Sequence, residues 1–290
     1  MYADIAMYNA KQEGGNCYRF YDSAQDGANA SKLNIENDLR KALDKGEFII
    51  HYQPKVDLCS GEITGLEALV RWQHPERGLV PPLEFIPVAE ETGLIVPLGK
   101  WVLEEACRQM KQWHERGYAK LGIAVNFSSR QFRDKNMVSH VARTLQLSGL
   151  DPECLEIELT ESIMQNVKES LVILSELKQL GVHISIDDFG TGYSSLSYLK
   201  HLPIDTLKVD KSFVDDIALS PKDEAIIRTI VDMGNHLQLN IVAEGVENKQ
   251  QAQALMACRC KIGQGYYFSK PLPHNEVELL FRNVYLNSDE

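Results

Sequence analysis

The sequence predicts an α/β fold, a TIM-like (β/α)8 barrel with one antiparallel strand. Eight apolar, β-branched segments alternate with helical patterns along the chain, which indicates parallel strands covered by helices. Eight strands close a barrel, and 290 residues are an ordinary length for one. Only a short turn at Ser60-Gly61 joins the first two strands, so they form a hairpin and one strand is antiparallel to the rest.

The predicted elements follow one another in a regular order. The predicted strands are 48–56, 62–71, 121–127, 155–160, 182–187, 205–210, 240–244 and 261–267. The predicted helices are 31–45 with Ser31 as N-cap, 97–116, 129–148, 166–180, a short one near 194–200, 222–238, 248–257 and 274–284. An open doubly wound sheet is the alternative, but no glycine-rich phosphate loop follows the first strand.

The N-terminal stretch departs from this rhythm. Residues 1–22 hold one helical and one strand-like pattern, which cannot bury their own apolar faces and indicate the tail of a preceding domain. Residues 23–30 are small and polar and are predicted to be a linker.

Composition and charge exclude several classes of function. A net charge of -11 repels the phosphates of nucleic acid polymers, although divalent cations would let an acidic site hold an anionic substrate. No apolar run reaches the roughly 18 residues of a membrane span, so no membrane contact is predicted for this chain. The six cysteines form no CxxC pair and indicate reduced thiols in a cytoplasmic protein, although a longer parent could be membrane-tethered.

Polar side chains recur at the carboxyl ends of the predicted strands, where barrels of this type carry their active sites. In chain order they are Glu67, Asn126, Glu156, Glu158, Asp187, Asp188, Lys208, Asp210, Glu244 and Gln264. Carboxylates in apolar strands are costly unless paired or metal-bound, and this many hard oxygen ligands suit Mg²⁺ or Mn²⁺ rather than zinc. The pattern predicts a two-cation hydrolase and leaves the substrate open.

A glycine-containing segment, FGTGYSSLSYL, follows the aspartate pair. Gly190 and Gly192 allow tight turning, so the segment is either an ordinary connection or a loop over the site held by Glu161.

The ordered motifs EALVRW, VNFSSRQF, ELTES, DDFGTGYSSL, LKVDKSF, AEGVE and QGYYFSKP resemble the EAL domain, a bacterial cyclic di-GMP-specific phosphodiesterase. The resemblance covers roughly residues 31–286. The stretch ADIAMYNAKQEGGNCY is similar to the end of a GGDEF domain, which implies that residues 1–22 are its C-terminal remnant in a longer parent protein.

The resemblance implies hydrolysis of cyclic di-GMP to linear pGpG and a role for each matched residue. Glu67, Asn126, Glu158 and Asp187 would hold one Mg²⁺ or Mn²⁺ ion, and Asp187, Asp188 and Glu244 a second. The catalytic base stays open among Lys208, Asp188 and Glu244. Substrate contacts would come from Gln53, Leu69, Arg71, Asp210 and Gln264, with the Arg71 fork on a phosphate. Glu161 with Gly190 and Gly192 would control the loop, and Glu247 would support the ligands.

The resemblance also implies a homodimer through barrel helices near the loop after Asp188, and inhibition by Ca²⁺, whose looser coordination fits a Mg²⁺ site poorly. The sequence differs from the residues that are frequent in the family at Lys55, where an apolar residue is frequent, and at Phe127, Ser129 and Lys261. None removes a metal ligand. The rival readings are a catalytically inactive cyclic di-GMP receptor and a barrel enzyme for another phosphate ester.

Overall fold

The structure is a computed structural model that describes residues 27–192 and 199–286, together with Met7. The predicted N-terminal remnant, the first half of the predicted linker and most of the short helix near 194–200 lie outside the described residues. The chain forms two compact units. The first contains the residues up to Ile49 and Arg71–Leu98, and the second contains Ile50–Val70 and the residues from Gly99 onward.

The described strands are β1 Phe48–Asp57, β2 Ile63–His74, β3 Gly78–Val80, β4 Gly122–Phe127, β5 Leu155–Thr160, β6 His183–Phe189, β7 Thr206–Val209, β8 Asn240–Ala243, β9 Ile262–Gln264 and β10 Leu272–Pro273. The described α-helices are α1 Gly27–Lys45, α2 Pro82–Thr92, α3 Ile95–Glu115, α4 Ser129–Phe132, α5 Met137–Ser148, α6 Val167–Gln179, α7 Lys211–Val214, α8 Pro221–His236, α9 Lys249–Ala257 and α10 His274–Leu286. Two 3₁₀ turns, Pro152–Cys154 and Glu161–Asn166, flank β5.

The strands confirm the predicted closed barrel. Parallel pairing runs in the order β2, β4, β5, β6, β7, β8 and β9. Strand β1 pairs antiparallel with β9 and also pairs with β2, which closes the ring of eight strands. The single antiparallel barrel strand is therefore the first one, as the hairpin predicts. The short strand β3 pairs antiparallel with β2, and the short strand β10 pairs antiparallel with β1.

Alternation along the strands separates an apolar face from a polar one. In β5 the buried apolar residues are Leu155, Ile157 and Leu159, so Glu156 and Glu158 face the opposite side. Glu158 contacts Lys55 of β1 and Lys208 of β7, which places that second side inside the barrel. The barrel interior is therefore the polar compartment of the second unit.

In the first unit an aromatic cluster joins β1 and β2 to α2. The rings of Phe48, Trp72 and Phe85 lie 5.7–5.9 Å apart between centroids, and the Trp72 indole N–H donates to Glu47 at 3.2 Å. Helix α2 and strand β3 are absent from the sequence prediction. The three prolines at 81, 82 and 87 conceal the helix, although proline is tolerated in a first turn.

Several predicted boundaries are wrong in detail. Helix α1 begins at Gly27, four residues before the predicted start, so Ser31 lies inside the helix and is not its N-cap. The predicted helix 129–148 is two helices, α4 and α5, separated by a turn. Strand β9 ends at Gln264 because the chain turns at Gly265, where φ is 158°. None of the helices within the described ranges combines the length and apolarity that a bilayer crossing requires.

Candidate active site and metal centre

A buried lysine on β7 organises one end of the barrel. The Lys208 side chain has no solvent exposure, and its Nζ lies 2.7 Å from a Glu158 oxygen and 2.8 Å from Glu244. The Asp187 carboxylate follows at 3.3 Å and Glu67 at 3.7 Å. Four strands besides β7 or their ends thus contribute a carboxylate to one ammonium. The predicted metal-ligand residues converge around it.

Two amide side chains donate hydrogen bonds to Glu67. Asn126 Nδ2 and Gln264 Nε2 each donate to a different Glu67 oxygen at 2.5 Å. Gln264 Nε2 also lies 3.1 Å from Gln53 Oε1, and Gln53 in turn donates to the Ser269 carbonyl at 3.1 Å. Among the described residues, the buried Gln264 Oε1 has no hydrogen-bond partner. It is therefore an acceptor available to a donor on a bound molecule.

The two aspartates reach the same site because the strand is irregular there. The β6–β7 register shifts between Ile186 and Phe189, and Asp188 has a φ of 54°, a left-handed conformation that aspartate tolerates better than most residues. Without this irregularity, adjacent side chains would point to opposite faces. As a result, one carboxylate oxygen each from Asp187, Asp188 and Glu244 lie within 4.8 Å of one another.

Burial and the closeness of other carboxylates raise the pKa of three acids in the site. Burial and the neighbouring Glu158 raise the pKa of Glu67 to about 7, against the attraction of Lys208. Burial likewise raises the pKa of Glu244 to about 8, with Asp187 and Glu67 adding to the rise and Lys208 opposing it. Burial and Asp187 also raise the pKa of Asp188. The site therefore holds more negative charge than one ammonium can balance.

Lysines stabilise the charged form of Glu158 and are themselves kept charged. Burial alone would raise the pKa of Glu158, but Lys208 and Lys55 lower it to about 2. Burial opposes the charge on Lys208, yet the surrounding carboxylates raise its pKa well above the ordinary lysine value. An ammonium held in this way is a fixed positive charge at neutral pH.

Glu161 lies beside the loop residues Gly190 and Gly192. The Gly190 N–H donates to Glu161 at 3.1 Å, and Glu161 is 8% exposed. Gly190 has a φ of 99°, and a Cβ at Gly192 would lie 2.8 Å from a Glu161 oxygen. The backbone conformation requires glycine at 190, whereas a side chain at 192 would displace the Glu161 carboxylate. The following residues, 193–198, lie outside the described part of the chain.

A cavity of about 300 Å³ opens beside the carboxylates. It is lined by Gln53, Glu67, Leu69, Lys211, Glu244, Gly245, Glu247, Gln264, Gly265 and Tyr266. Lys211 and Tyr266 were not among the predicted site residues, although the motifs LKVDKSF and QGYYFSKP contain them. The cavity places a cation and an aromatic ring beside the acidic cluster.

Two predicted site residues make contacts other than the Lys208 ion pairs. Asp210 caps α7 by accepting from the Ser212 N–H at 3.0 Å, and Glu247 is exposed and pairs with Lys211 at 2.6 Å. Arg71 lies near the end of β2 in the first unit, and its phosphate contact stays a prediction. Lys55 and Glu156, for which the sequence predicted no site role, lie in the barrel interior next to Glu158.

The donor set fits divalent cations bound by oxygen. Asp187, Asp188 and Glu244 could hold one ion, and the clustered carboxylates around them are hard ligands of the kind that Mg²⁺ and Mn²⁺ prefer. Four carboxylates lie within 3.7 Å of the single Lys208 ammonium, so negative charge is in excess at this end of the barrel. Added cations would supply it.

Comparison with known proteins identifies the family. The EAL domain matches residues 36–271. The chain is 48% identical over 277 residues to the signaling protein YkoW of Bacillus subtilis, covering 95% of this chain and 34% of YkoW. It is 47% identical over 276 residues to the bifunctional diguanylate cyclase/cyclic di-GMP phosphodiesterase MucR of Pseudomonas aeruginosa, covering 95% of this chain and 40% of MucR.

A solved structure of the PaMucR phosphodiesterase in a c-di-GMP complex superposes with a TM-score of 0.82 at 47% identity, covering 84% of this chain and 100% of that one. The chain thus spans less than half the length of either curated relative. Its fold matches, and its acidic strand ends lie within the matched range. This chain belongs to the EAL domain family.

Proposed function

We propose that this chain is a metal-dependent phosphodiesterase that hydrolyses cyclic di-GMP to linear pGpG. The observation that carries the proposal is the convergence of Glu67, Glu158, Asp187 and Glu244 on Lys208 beside an open cavity. The likeness to MucR, which is named as a cyclic di-GMP phosphodiesterase, supports this choice of substrate.

Two Mg²⁺ or Mn²⁺ ions are proposed as cofactors. Glu67, Asn126, Glu158 and Asp187 would hold the first, and Asp187, Asp188 and Glu244 the second, with Asp187 shared. Bound divalent cations would lower the pKa of a water and offset charge on the phosphoryl oxygens. Ca²⁺ should inhibit, because its larger and more variable coordination shell suits this site poorly; full activity with Ca²⁺ as the only cation would contradict the proposal.

The chain's own residues would then orient and deprotonate the attacking water. Lys208, surrounded by four carboxylates, is held as an ammonium, so it would orient the water and offset charge rather than accept a proton. Asp188 and Glu244 remain as the candidate bases. The water oxygen would bond to phosphorus, the P–O3′ bond would break, and the leaving 3′ oxygen would take up a proton.

Substrate positioning is proposed for residues that line the cavity or lie beside it. Gln53, Leu69 and Gln264 line it, and the unpartnered Gln264 Oε1 offers an acceptor to a donor group on the nucleotide. Asp210 and Arg71 complete the proposed set, Arg71 as a phosphate contact. Glu161 with Gly190 and Gly192 would control the loop, and Glu247 would act through Lys211.

The test is product identification. The chain would be incubated with cyclic di-GMP and Mg²⁺, and the nucleotides would be separated by chromatography and identified by mass spectrometry. We expect pGpG from the parent chain, none from Glu67→Ala or Asp187→Ala, and parent-like yield from the control Glu62→Ala, which removes an exposed carboxylate. If both ligand variants keep full activity, the assignment is wrong. If the parent chain binds and releases intact dinucleotide, it is a receptor.

The wider organisation is proposed on the same basis. Residues 1–22 would be a GGDEF remnant and 31–286 the phosphodiesterase barrel of a longer cytoplasmic-facing protein. MucR, named as a diguanylate cyclase as well, is consistent with such a pairing. A homodimer through the helices near the loop after Asp188 is also proposed. Light scattering at micromolar concentration would test it, and a monomer would count against it.

A further inference from the structure

A second lysine lies inside the barrel, and the proposed mechanism does not use it. Lys55, on the antiparallel strand β1, is 5% exposed, opposite Gln264 in the β1–β9 register. Its Nζ lies 2.8 Å from Glu158 Oε1 and makes a short ion pair with Glu156.

The two lysines hold Glu158 through different oxygens. Lys208 Nζ lies 2.7 Å from Glu158 Oε2, whereas Lys55 Nζ lies 2.8 Å from Oε1. Lys208 lies on β7 and Lys55 lies on β1, so the two donors belong to different strands. A carboxylate whose two oxygens are bonded to separate fixed donors has a defined plane, because rotation would break one of the two charge-assisted bonds.

Glu156 neutralises the charge of the buried Lys55. It lies two residues before Glu158 on β5, so both side chains face the barrel interior. Lys55 and Glu156 carry opposite charges, and together they add no net charge beneath the acidic cluster. Buried charges persist when they are paired in this way, and removal of one partner alone leaves the other uncompensated.

We propose that the Lys55–Glu156 pair is a positioning device that orients the Glu158 carboxylate for metal binding. The inference rests on the proposed function, because Glu158 is a metal ligand only in that proposal. Outer groups that orient ligands typically change metal affinity by about 10–100-fold when they are removed. Lys55 would act through Glu158 and touch neither the metal ion nor the nucleotide.

The experiment is a titration of the metal-free chain with Mn²⁺ alone, followed by calorimetry and by the electron paramagnetic resonance signal of free Mn²⁺. The test variant is Lys55→Met/Glu156→Gln, which removes both charges at once and leaves the net charge near the site unchanged. A loss of about tenfold or more in Mn²⁺ affinity is expected. The matched control is Lys178→Met/Asp205→Asn, which removes another ion pair of the same unit at 2.8 Å.

The outcomes separate this inference from the proposed function. Control and parent should bind Mn²⁺ alike; if the parent binds none, the proposed metal site itself fails. If the parent binds and the double variant binds equally well, the positioning inference is wrong even if thermal stability falls. Glu156→Gln alone breaks the proposed pair and leaves Lys55 without this partner, so it should also lose Mn²⁺ affinity; parent-like affinity there would show that Glu156 takes no part in positioning and would overturn the inference.

A further variant covers the case in which the double variant does not fold. Lys55→Arg keeps the positive charge but replaces the compact ammonium by a larger planar fork, whose donors lie at other positions relative to the two carboxylates. The same loss of Mn²⁺ affinity is expected from it. Parent-like affinity in Lys55→Arg would show that charge alone suffices and that position does not matter.

Discussion

Replacement of Lys208 by methionine removes the one ammonium that four carboxylates share. Methionine has a similar length and no charge, so packing changes little and the electrostatic loss dominates. The Lys208 side chain is fully buried, and its two closest oxygens lie at 2.7 and 2.8 Å. Its raised pKa means that its stabilising contribution is fully present below about pH 10.5, and thus at pH 7.

The expected loss of unfolding free energy follows from the carboxylates that would lose their cation. Glu158 would keep only Lys55, and Glu67, Asp187 and Glu244 would lose their shared cation. Breaking a buried ion pair by removing one partner costs about 3–5 kcal/mol. This loss is a large share of the unfolding free energy of a typical domain, which is about 5–15 kcal/mol. The variant should therefore fold at low temperature but unfold at clearly lower urea concentration.

The assay is urea unfolding at pH 7 with EDTA, because urea leaves the ionic strength unchanged. The control, Lys100→Met, removes a lysine 3.3 Å from Asp134 on the surface and should cost less than about 1 kcal/mol. Mg²⁺ should restore part of the stability lost by Lys208→Met, because bound cations replace the missing charge. A Lys208→Met variant within 1 kcal/mol of the parent would refute the reasoning, as would Mg²⁺ without effect on it.

Two further predictions concern pH and the loop glycine. The pKa values of Glu67 and Glu244 rise from 4.5 to about 7 and 8 on folding, so the folded metal-free chain binds more protons than the unfolded one, and its unfolding free energy should fall as pH rises from about 5 to 8. Urea midpoints across that range in EDTA would show this, and a rising midpoint would contradict it; the lowered pKa of Glu158 acts in the opposite sense only below about pH 4.5. Gly190→Ala should cost more than the about 1–2 kcal/mol of a left-handed non-glycine residue, because its Cβ would lie 2.8 Å from the Phe213 ring. Thermal unfolding beside Gly117→Ala, which has a similar φ and open space around its Cβ, isolates the Phe213 contact, and equal losses would disprove it.

Much of the fold was predictable because barrel strands carry a strong local signal. Runs such as LEIELT and VHISID are apolar and β-branched, and each is followed by a helical pattern of adequate length. Helix α2 was missed because its prolines suppress that signal, and the break between α4 and α5 was missed because both halves are amphipathic. Local patterns predict the type of an element well and its ends poorly.

The sequence by itself determined the chemical inventory of this protein: eight strands, one of them antiparallel, and oxygen ligands at their ends. It could not determine which charges neutralise one another, because that depends on distances between strands far apart in the chain. Only the tertiary structure decided that Lys208 lies among four carboxylates, that Asp188 turns into the site through a strand irregularity, and that Lys55 and Glu156 pair next to Glu158. The physical reason is that burial strengthens electrostatic interactions, and burial is a property of the assembled barrel.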